Sequence, residues 1–205
     1  MNTNTTTVFA HQYLEEAKSI IDQLDRSAIE SMTRLLVILR ETGGRLFFVG
    51  VGGGAGHAGH AVNDFRKIAG IEAYSISDNV SELTARTNDE GWDTTYAAWL
   101  EVSHLSGRDM LFVFSVGGGD LERNISPNIV RAVRYAKQVG AAVVGVLGRD
   151  GGYTASVADA CVVVPTVNSE AVTPHTESFQ AMIWHLLVSD PRLQVMPNKW
   201  ESNQK

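Results

Sequence analysis

Two histidines and an aspartate share one face of a predicted helix that follows a glycine-rich turn. The segment GVGGGAGHAGHAVNDF ends an apolar run and places His57, His60 and Asp64 at positions i, i+3 and i+7. On a helix these side chains line up, and imidazole and carboxylate groups can bind a metal or move a proton. The glycines let the backbone turn tightly and approach a ligand through its N–H groups. The segment therefore predicts a ligand cradle beside a reactive helix face.

The same glycines allow a second interpretation. Gly54, Gly56 and Gly59 have the G-x-G-x-x-G spacing of dinucleotide-binding turns, and Asp78 follows the second predicted strand. Such turns use an acidic residue after that strand to hold a ribose. An anion or sugar cradle at the start of a helix is the simpler interpretation, and the dinucleotide site remains its alternative.

A second group of polar residues lies in the apolar C-terminal segment SEAVTPHTESFQAMIWHLLVSD. Glu177 and His185 are about 12 Å apart along one continuous helix, too far to bind the same small ion. Because His185 lies within the apolar run MIWHLLV, it can alternatively be a buried structural histidine of the core. The apolar face that we expect to contact the core consists of Met182, Ile183, Leu186 and Leu187.

Five apolar runs alternate with helical segments. The predicted strands are 45–51, 71–77, 110–116, 141–147 and 160–165, and the predicted helices are 8–42, as one or two helices, 55–69, 80–103, 126–139 and 172–189. This alternation predicts an α/β fold with a parallel sheet covered by helices on both faces. Ligands bind such sheets at the carboxyl ends of the strands, where the glycine turn and the segment SVGGGDLERNISPN fall.

Composition limits the function classes. The 205 residues are 44% hydrophobic and carry a formal net charge of −6, which is typical of a globular protein and opposes general binding to nucleic acid or to an anionic membrane. The single Cys161 lies in an apolar run and is expected to be a buried, inert thiol. Without a disulfide framework, a leader or a membrane span, a soluble cytoplasmic protein is expected.

These motifs together resemble the sugar isomerase (SIS) domain family, and within it the phosphoheptose isomerases. The resemblance covers nearly the whole chain and rests on FVGVGGGAGHAGHAVNDF, LTARTNDEGW, SVGGG with SPNIVRAV, VVGVLGRDGG and TESFQAMIWHLL. It implies a three-layer sandwich around a five-stranded parallel sheet. One domain is expected over residues 1–205, with an N-terminal helical region (1–44), a sheet core (45–190) and a C-terminal tail (191–205).

The resemblance also implies a site and a reaction. A divalent metal, zinc, would be held by His60, Asp64, Glu177 and His185, and Asp64 and His185 would share the acid–base role, with His57 as another possible base. The implied reaction converts sedoheptulose 7-phosphate to D-glycero-D-manno-heptose 7-phosphate in a homotetramer whose subunits meet at the active sites. The substrate-binding positions would be Gly52, Gly53, Gly54, Asn88, Asp89, Ser115, Val116, Gly117, Ser126 and Glu177.

Departures from the family pattern leave alternatives open. Asp64 and Glu177 replace a glutamate and a glutamine but remain oxygen ligands. Gly54 and Gly117 stand where the family has hydroxyl donors to phosphate, and GGDLERNI precedes Ser126 as an insertion. The alternatives are an isomerase of a different sugar phosphate and a module that binds a sugar phosphate or a partner without catalysis.

Overall fold

The computed structural model describes residues 3–197 and Lys199. Its elements, in chain order, are α1 (Thr3–Gln23), α2 (Arg26–Glu41), β1 (Leu46–Gly50), α3 (Gly53–Lys67), β2 (Ala73–Ser75), α4 (Val80–Asp89), α5 (Thr95–Val102), β3 (Met110–Ser115), α6 (Pro127–Gln138), β4 (Ala142–Leu147), α7 (Gly152–Val157), β5 (Ala160–Val163) and α8 (Val172–Ser189). The predicted α/β class is confirmed, with five strands flanked by helices.

Local chemistry explains where the helices begin and end. The Asp25 carboxylate accepts the N–H groups of Ser27 and Ala28, so α2 starts there and the predicted 8–42 segment forms two helices. The stretch predicted as helical over 80–103 forms two helices, α4 and α5, and Gly91 with φ +91° lies between them. The turn predicted between the fourth and fifth strands contains the short helix α7.

The sheet is parallel throughout, in the order β2-β1-β3-β4-β5. Strand order reverses between β1 and β3, so the carboxyl ends of these two strands form the crevice where ligands bind in open α/β sheets. All residues of β1 and β3 are buried, as expected for central strands covered on both faces. The glycine turn leaves β1 at this crevice.

Alternate side chains of the central strands enter two separate cores. Phe48, Phe112 and Phe114 pack on the face covered by α2, α3 and α8. Phe47 and Leu111 pack on the opposite face with α5 and α6. This arrangement is the expected three-layer sandwich.

The core face predicted for α8 is partly wrong. Ile183 and Leu187 are buried, but Met182 and Leu186 are exposed. The buried stripe instead includes Phe179 and Trp184, so it is rotated toward α3.

The described part of the predicted C-terminal tail is docked. The N–H groups of Val195 and Met196 donate to the carbonyl of Ile68, and Arg40 donates to the carbonyl of the buried Leu193. Residue 198 and residues 200–205 of the predicted tail lie outside the described residues. Within the described ranges, no helix combines the length and the apolar character that crossing a bilayer requires.

A buried carboxylate joins the starts of β1 and β3. Asp109 accepts hydrogen bonds from the backbone and guanidinium of Arg45 and from the backbone and hydroxyl of Ser106. Burial by itself would raise the pKa of Asp109, but these hydrogen bonds outweigh it and lower the pKa. The carboxylate therefore stabilises the fold wherever it is ionised.

Replacing Asp109 by asparagine is expected to lower the free energy of unfolding by about 2–4 kcal/mol, because it leaves Arg45 without its charged partner. The lowered pKa makes this effect depend on pH. The difference in unfolding free energy between variant and wild type is complete above the unfolded carboxyl's pKa of about 3.9, and it shrinks as the pH falls below that value. Urea unfolding of both proteins across this pH range measures the difference. The control is Asp22→Asn, which changes an exposed carboxylate on α1. Equal unfolding free energies for Asp109→Asn and wild type at pH 7 would contradict this role.

Candidate functional site

The start of α3 lies against the ends of β1 and β3 at a distance that only glycine allows. A Cβ on Gly54 would lie 2.7 Å from the Phe114 carbonyl oxygen, and one on Gly50 would lie 2.3 Å from the backbone of Gly54. Gly52 precedes the helix with φ +59°, a conformation that favours glycine. The three glycines bring the first turn of α3 directly over the crevice.

From this start α3 runs beside α8 in the same direction, and three successive contacts join the two helices. At the first, the Glu177 carboxylate lies over the Cα of Gly53. At the second, His57 is hydrogen-bonded to Gln180. The third, defined here as the metal group, consists of His60, Asp64 and His185. From Gly53 to Asp64 the contacts extend about 16 Å along α3.

The metal group has the dimensions of a small cation site. Asp64 Oδ2 lies 3.5 Å from His60 Nε2 and 3.4 Å from His185 Nε2. Two ligands each about 2.1 Å from a tetrahedrally coordinated zinc ion are about 3.4 Å apart, so these spacings suit such an ion. Asp64 is 6% exposed, whereas both imidazoles are exposed, which leaves the group accessible from one side.

Neighbouring groups orient these side chains. Asp64 Oδ1 accepts a hydrogen bond from Asn63, and Oδ2 accepts one from the indole N–H of Trp184 at 3.1 Å. His185 Nδ1 lies 2.8 Å from the Ala181 carbonyl oxygen. Because a carbonyl only accepts, Nδ1 carries the proton and the Nε2 of the neutral ring keeps its lone pair for a metal.

Glu177 does not belong to the metal group in this structure. Its carboxylate lies at Gly53, two helical turns from His185, in agreement with the separation of about 12 Å expected along α8. His60, Asp64 and His185 meet within one chain, so different subunits are not needed to bring these three together. Glu177 instead places a carboxylate at the glycine turn.

His57 lies between the glycine turn and the metal group. Its Nδ1 is 2.9 Å from Gln180 Oε1, and the amide nitrogen of the fully buried Gln180 donates to the Val146 carbonyl at 3.3 Å. The amide is thereby oriented with its oxygen toward His57, so Nδ1 donates and Nε2 of the neutral ring remains an acceptor. This geometry suits a proton acceptor.

The loop after β3 is held to α7. Ser115, buried at the strand end, accepts the N–H of Gly118, and the carbonyls of Gly118 and Gly119 accept the N–H groups of Thr154 and Tyr153. A Cβ on Gly118 would lie 1.8 Å from the Gly151 carbonyl oxygen, so this packing requires glycine. Ser115, one of the predicted substrate-binding residues, thus uses its hydroxyl to hold this loop.

The rest of this loop borders an open cleft of about 350 Å³ at the carboxyl edge of the sheet. Gly117 lines the cleft together with Arg123 and Arg149, and Val116 lies just before it in the loop. Ser126 begins α6 with φ +50° and its hydroxyl makes no capping bond to the helix. Arginine and glycine N–H groups can bind an anion, but three carboxylates also line the cleft, those of Asp120, Glu122 and Asp150, and Asp120 pairs with Arg123.

Asn88 and Asp89 are exposed at the end of α4. The Asn88 amide donates to the Asp89 carboxylate at 2.7 Å. Among the described residues, neither side chain is hydrogen-bonded to the glycine turn or to the loop after β3, and their predicted role in substrate binding stays a prediction.

Cys161 lies in β5, and burial raises the pKa of its thiol to about 12. A thiol with that pKa is not ionised at neutral pH and is a poor nucleophile. This agrees with the predicted inert cysteine.

Comparison with known proteins identifies the family. The SIS domain matches residues 12–148 of this chain. The chain belongs to the SIS domain family. It is 28% identical over 189 residues to a phosphoheptose isomerase of Syntrophotalea carbinolica, covering 88% of this chain and 91% of that protein. It is 30% identical over 176 residues to one of Roseiflexus, covering 80% and 85%. These relatives indicate a sugar phosphate isomerase.

A relative that is not named as a phosphoheptose isomerase has a similar sequence identity. The chain is 32% identical over 184 residues to the lincomycin biosynthesis protein LmbN of Streptomyces lincolnensis, covering 85% of this chain but only 65% of that protein. Among solved structures, phosphoheptose isomerase GmhA of Neisseria gonorrhoeae superposes with a TM-score of 0.76 at 22% identity, covering 91% of this chain and 98% of that one. That likeness confirms the SIS fold.

Several residues that shape this SIS domain site were not predicted from the sequence. Trp184 and Asn63 hold the Asp64 carboxylate, and Gln180 orients His57. One signal was available: a tryptophan in the buried stripe of a helix needs an acceptor for its N–H. Identifying that acceptor requires knowing that α3 and α8 are neighbours.

The metal group predicts stabilisation by zinc. At a zinc concentration 100 times Kd, binding adds about 2.7 kcal/mol, or about 5–10 °C in Tm for a chain of this size. Thermal unfolding with and without zinc is expected to show this shift in wild type and in the control His11→Ala, and no shift in His60→Ala or His185→Ala. A zinc-insensitive wild-type Tm would contradict the site, and loss of the shift in Glu177→Ala would return Glu177 to the ligand set.

Proposed function

We propose that this protein is a metal-dependent aldose–ketose isomerase that converts sedoheptulose 7-phosphate to D-glycero-D-manno-heptose 7-phosphate. The observation that carries the proposal is the group of His60, Asp64 and His185, with ligand atoms within 4.8 Å of one another, in a chain whose relatives include phosphoheptose isomerases. Family membership supports the reaction type, and the donor set of two imidazoles and a carboxylate supports zinc.

The reaction moves a proton between C1 and C2 of the sugar through an enediol. One group must accept the carbon-bound proton, and another must stabilise or protonate the oxygen. A dication held by His60, Asp64 and His185 would supply Lewis acidity at the carbonyl oxygen. The side chains of α3 and α8 then have to bind the sugar in one orientation and transfer the proton.

His57 is our candidate for the proton acceptor. Asp64 and His185 were expected to share this role, but Asp64 is buried with hydrogen bonds to both oxygens, and a lone pair that binds a cation cannot accept a proton at the same time. The Gln180 contact leaves Nε2 of the neutral His57 as an acceptor one helical turn from His60. Asp64 and His185 would then act chiefly as ligands.

The phosphate would bind at the loop after β3. Glu177 places negative charge beside Gly53, which disfavours a second anion at the glycine turn. The N–H groups of Gly117 and Gly119 donate to no protein atom within the described chain, and Ser126 and Arg123 are nearby in sequence. These donors can replace the missing family hydroxyls.

An isomerase of a different sugar phosphate is the second candidate. It is favoured by the 32% identity to a lincomycin biosynthesis protein and by the altered residues at Gly54, Gly117 and Glu177. A binding module without catalysis is less favoured, because three ligand-capable side chains and the oriented His57 occur together along α3 and α8.

We also propose a homotetramer located in the cytoplasm, as the family resemblance implies. On α1, large apolar side chains are exposed at Val8, Phe9, Leu14 and Ile21. A helix that exposes large apolar side chains is suited to contact another subunit. Sedimentation measurements test the assembly, and a monomer at micromolar concentration would contradict it.

Removing the metal tests the reaction. Wild-type enzyme treated with chelator is expected to lose isomerisation of sedoheptulose 7-phosphate and to recover it on addition of zinc. Formation of the heptose product measures the activity in both states. Zinc-loaded enzyme inactive on this sugar but active on another ketose phosphate would favour the second candidate.

Replacing His57 by glutamine tests proton transfer separately from metal binding. We expect His57→Gln to keep the zinc content of wild type and to lower kcat by about 10²–10⁴-fold, since it removes only the general base. His11→Gln on α1 is the matched control. Turnover equal to that of wild type would return proton transfer to Asp64 and His185.

A further inference from the structure

One indole contacts every member of the metal group. The ring of Trp184 lies 5.3 Å from that of His60 and 4.8 Å from that of His185, measured between centroids. Its N–H donates to Asp64 Oδ2, the oxygen that faces both imidazoles. The side chain is 1% exposed, so it reaches the group from the protein interior while the cation side stays open.

The hydrogen bond determines how the carboxylate is presented. An indole N–H only donates, so it pairs with the carboxylate as an acceptor. With Asn63 on Oδ1 and Trp184 on Oδ2, rotation of the Asp64 carboxyl is restricted in both directions. Oδ2 therefore stays within 3.5 Å of both imidazole nitrogens.

The rest of the ring holds Trp184 itself in place. Phe114 at the end of β3 lies 5.7 Å from it between centroids, and His57 of α3 lies 5.1 Å away. The buried indole is thus packed against both the end of a central strand and α3. Packing that holds a side chain in its binding orientation lowers the entropy cost of binding.

We propose that Trp184 is the positioning residue of the metal group: it cannot bind the cation, yet the affinity of the site for zinc depends on its indole N–H. This inference rests on the proposed function, because it requires that the group binds a cation. Groups that orient metal ligands typically change metal affinity by 10–100-fold when they are removed.

The test is zinc affinity of the full chain, measured by competition with a chromophoric chelator. Trp184→Phe removes the N–H and keeps an aromatic ring, and it is expected to bind zinc 10–100-fold more weakly than wild type. Trp99→Phe, on the opposite face of the sheet, is the matched control and is expected to retain wild-type affinity. Urea unfolding in excess chelator measures the stability of each metal-free variant.

A purely structural role predicts a different pattern. It would lower the metal-free stability of Trp184→Phe and leave the zinc affinity of its folded fraction unchanged, which would overturn this inference alone. If Trp184→Phe does not fold, 3-benzothienylalanine at position 184 keeps the ring shape without the N–H, and the same affinity loss is expected. Wild-type protein that binds no zinc would overturn the metal site and this inference together.

Discussion

The close approach of α3 to the sheet is the constraint on which the site depends. Without side chains at Gly50 and Gly54, the first turn of α3 contacts the backbone of β1 and β3 directly. A single methyl group at either position would move the helix outward by a large part of an ångström or more. Every chemically active residue of α3 would move with it, because a helix transmits displacement along its length.

The contacts between α3 and α8 divide the site into regions of different character. The end near the sheet edge holds a carboxylate, the middle holds a histidine with one ring nitrogen engaged, and the far end holds two imidazoles around a buried carboxylate. The cation site and the carboxylate at the glycine turn are therefore about two helical turns apart along α8.

Much of this could be predicted from the sequence, for identifiable reasons. Apolar runs of strand length and the spacing of His57, His60 and Asp64 are local signals, and they gave the sheet and one face of the site. Glu177 lies apart from the other three predicted ligands within this chain, and the sequence could not show this because the register between two helices is a tertiary property. Met182 and Leu186 were misassigned for the same reason: the direction in which α8 faces is set by its packing on α3.

The parallel course of α3 and α8 has a consequence for how this protein can diverge. The two helices contact each other in the same order along both helices, Gly53 with Glu177, His57 with Gln180 and Asp64 with Trp184. Substitution at one of these positions alters the contacts of that side chain and leaves the register of the two helices unchanged. Insertion or deletion of one residue in either helix rotates all later side chains by about 100° and separates every subsequent pair at once. Length changes in this protein must therefore be confined to the loops outside the two helices.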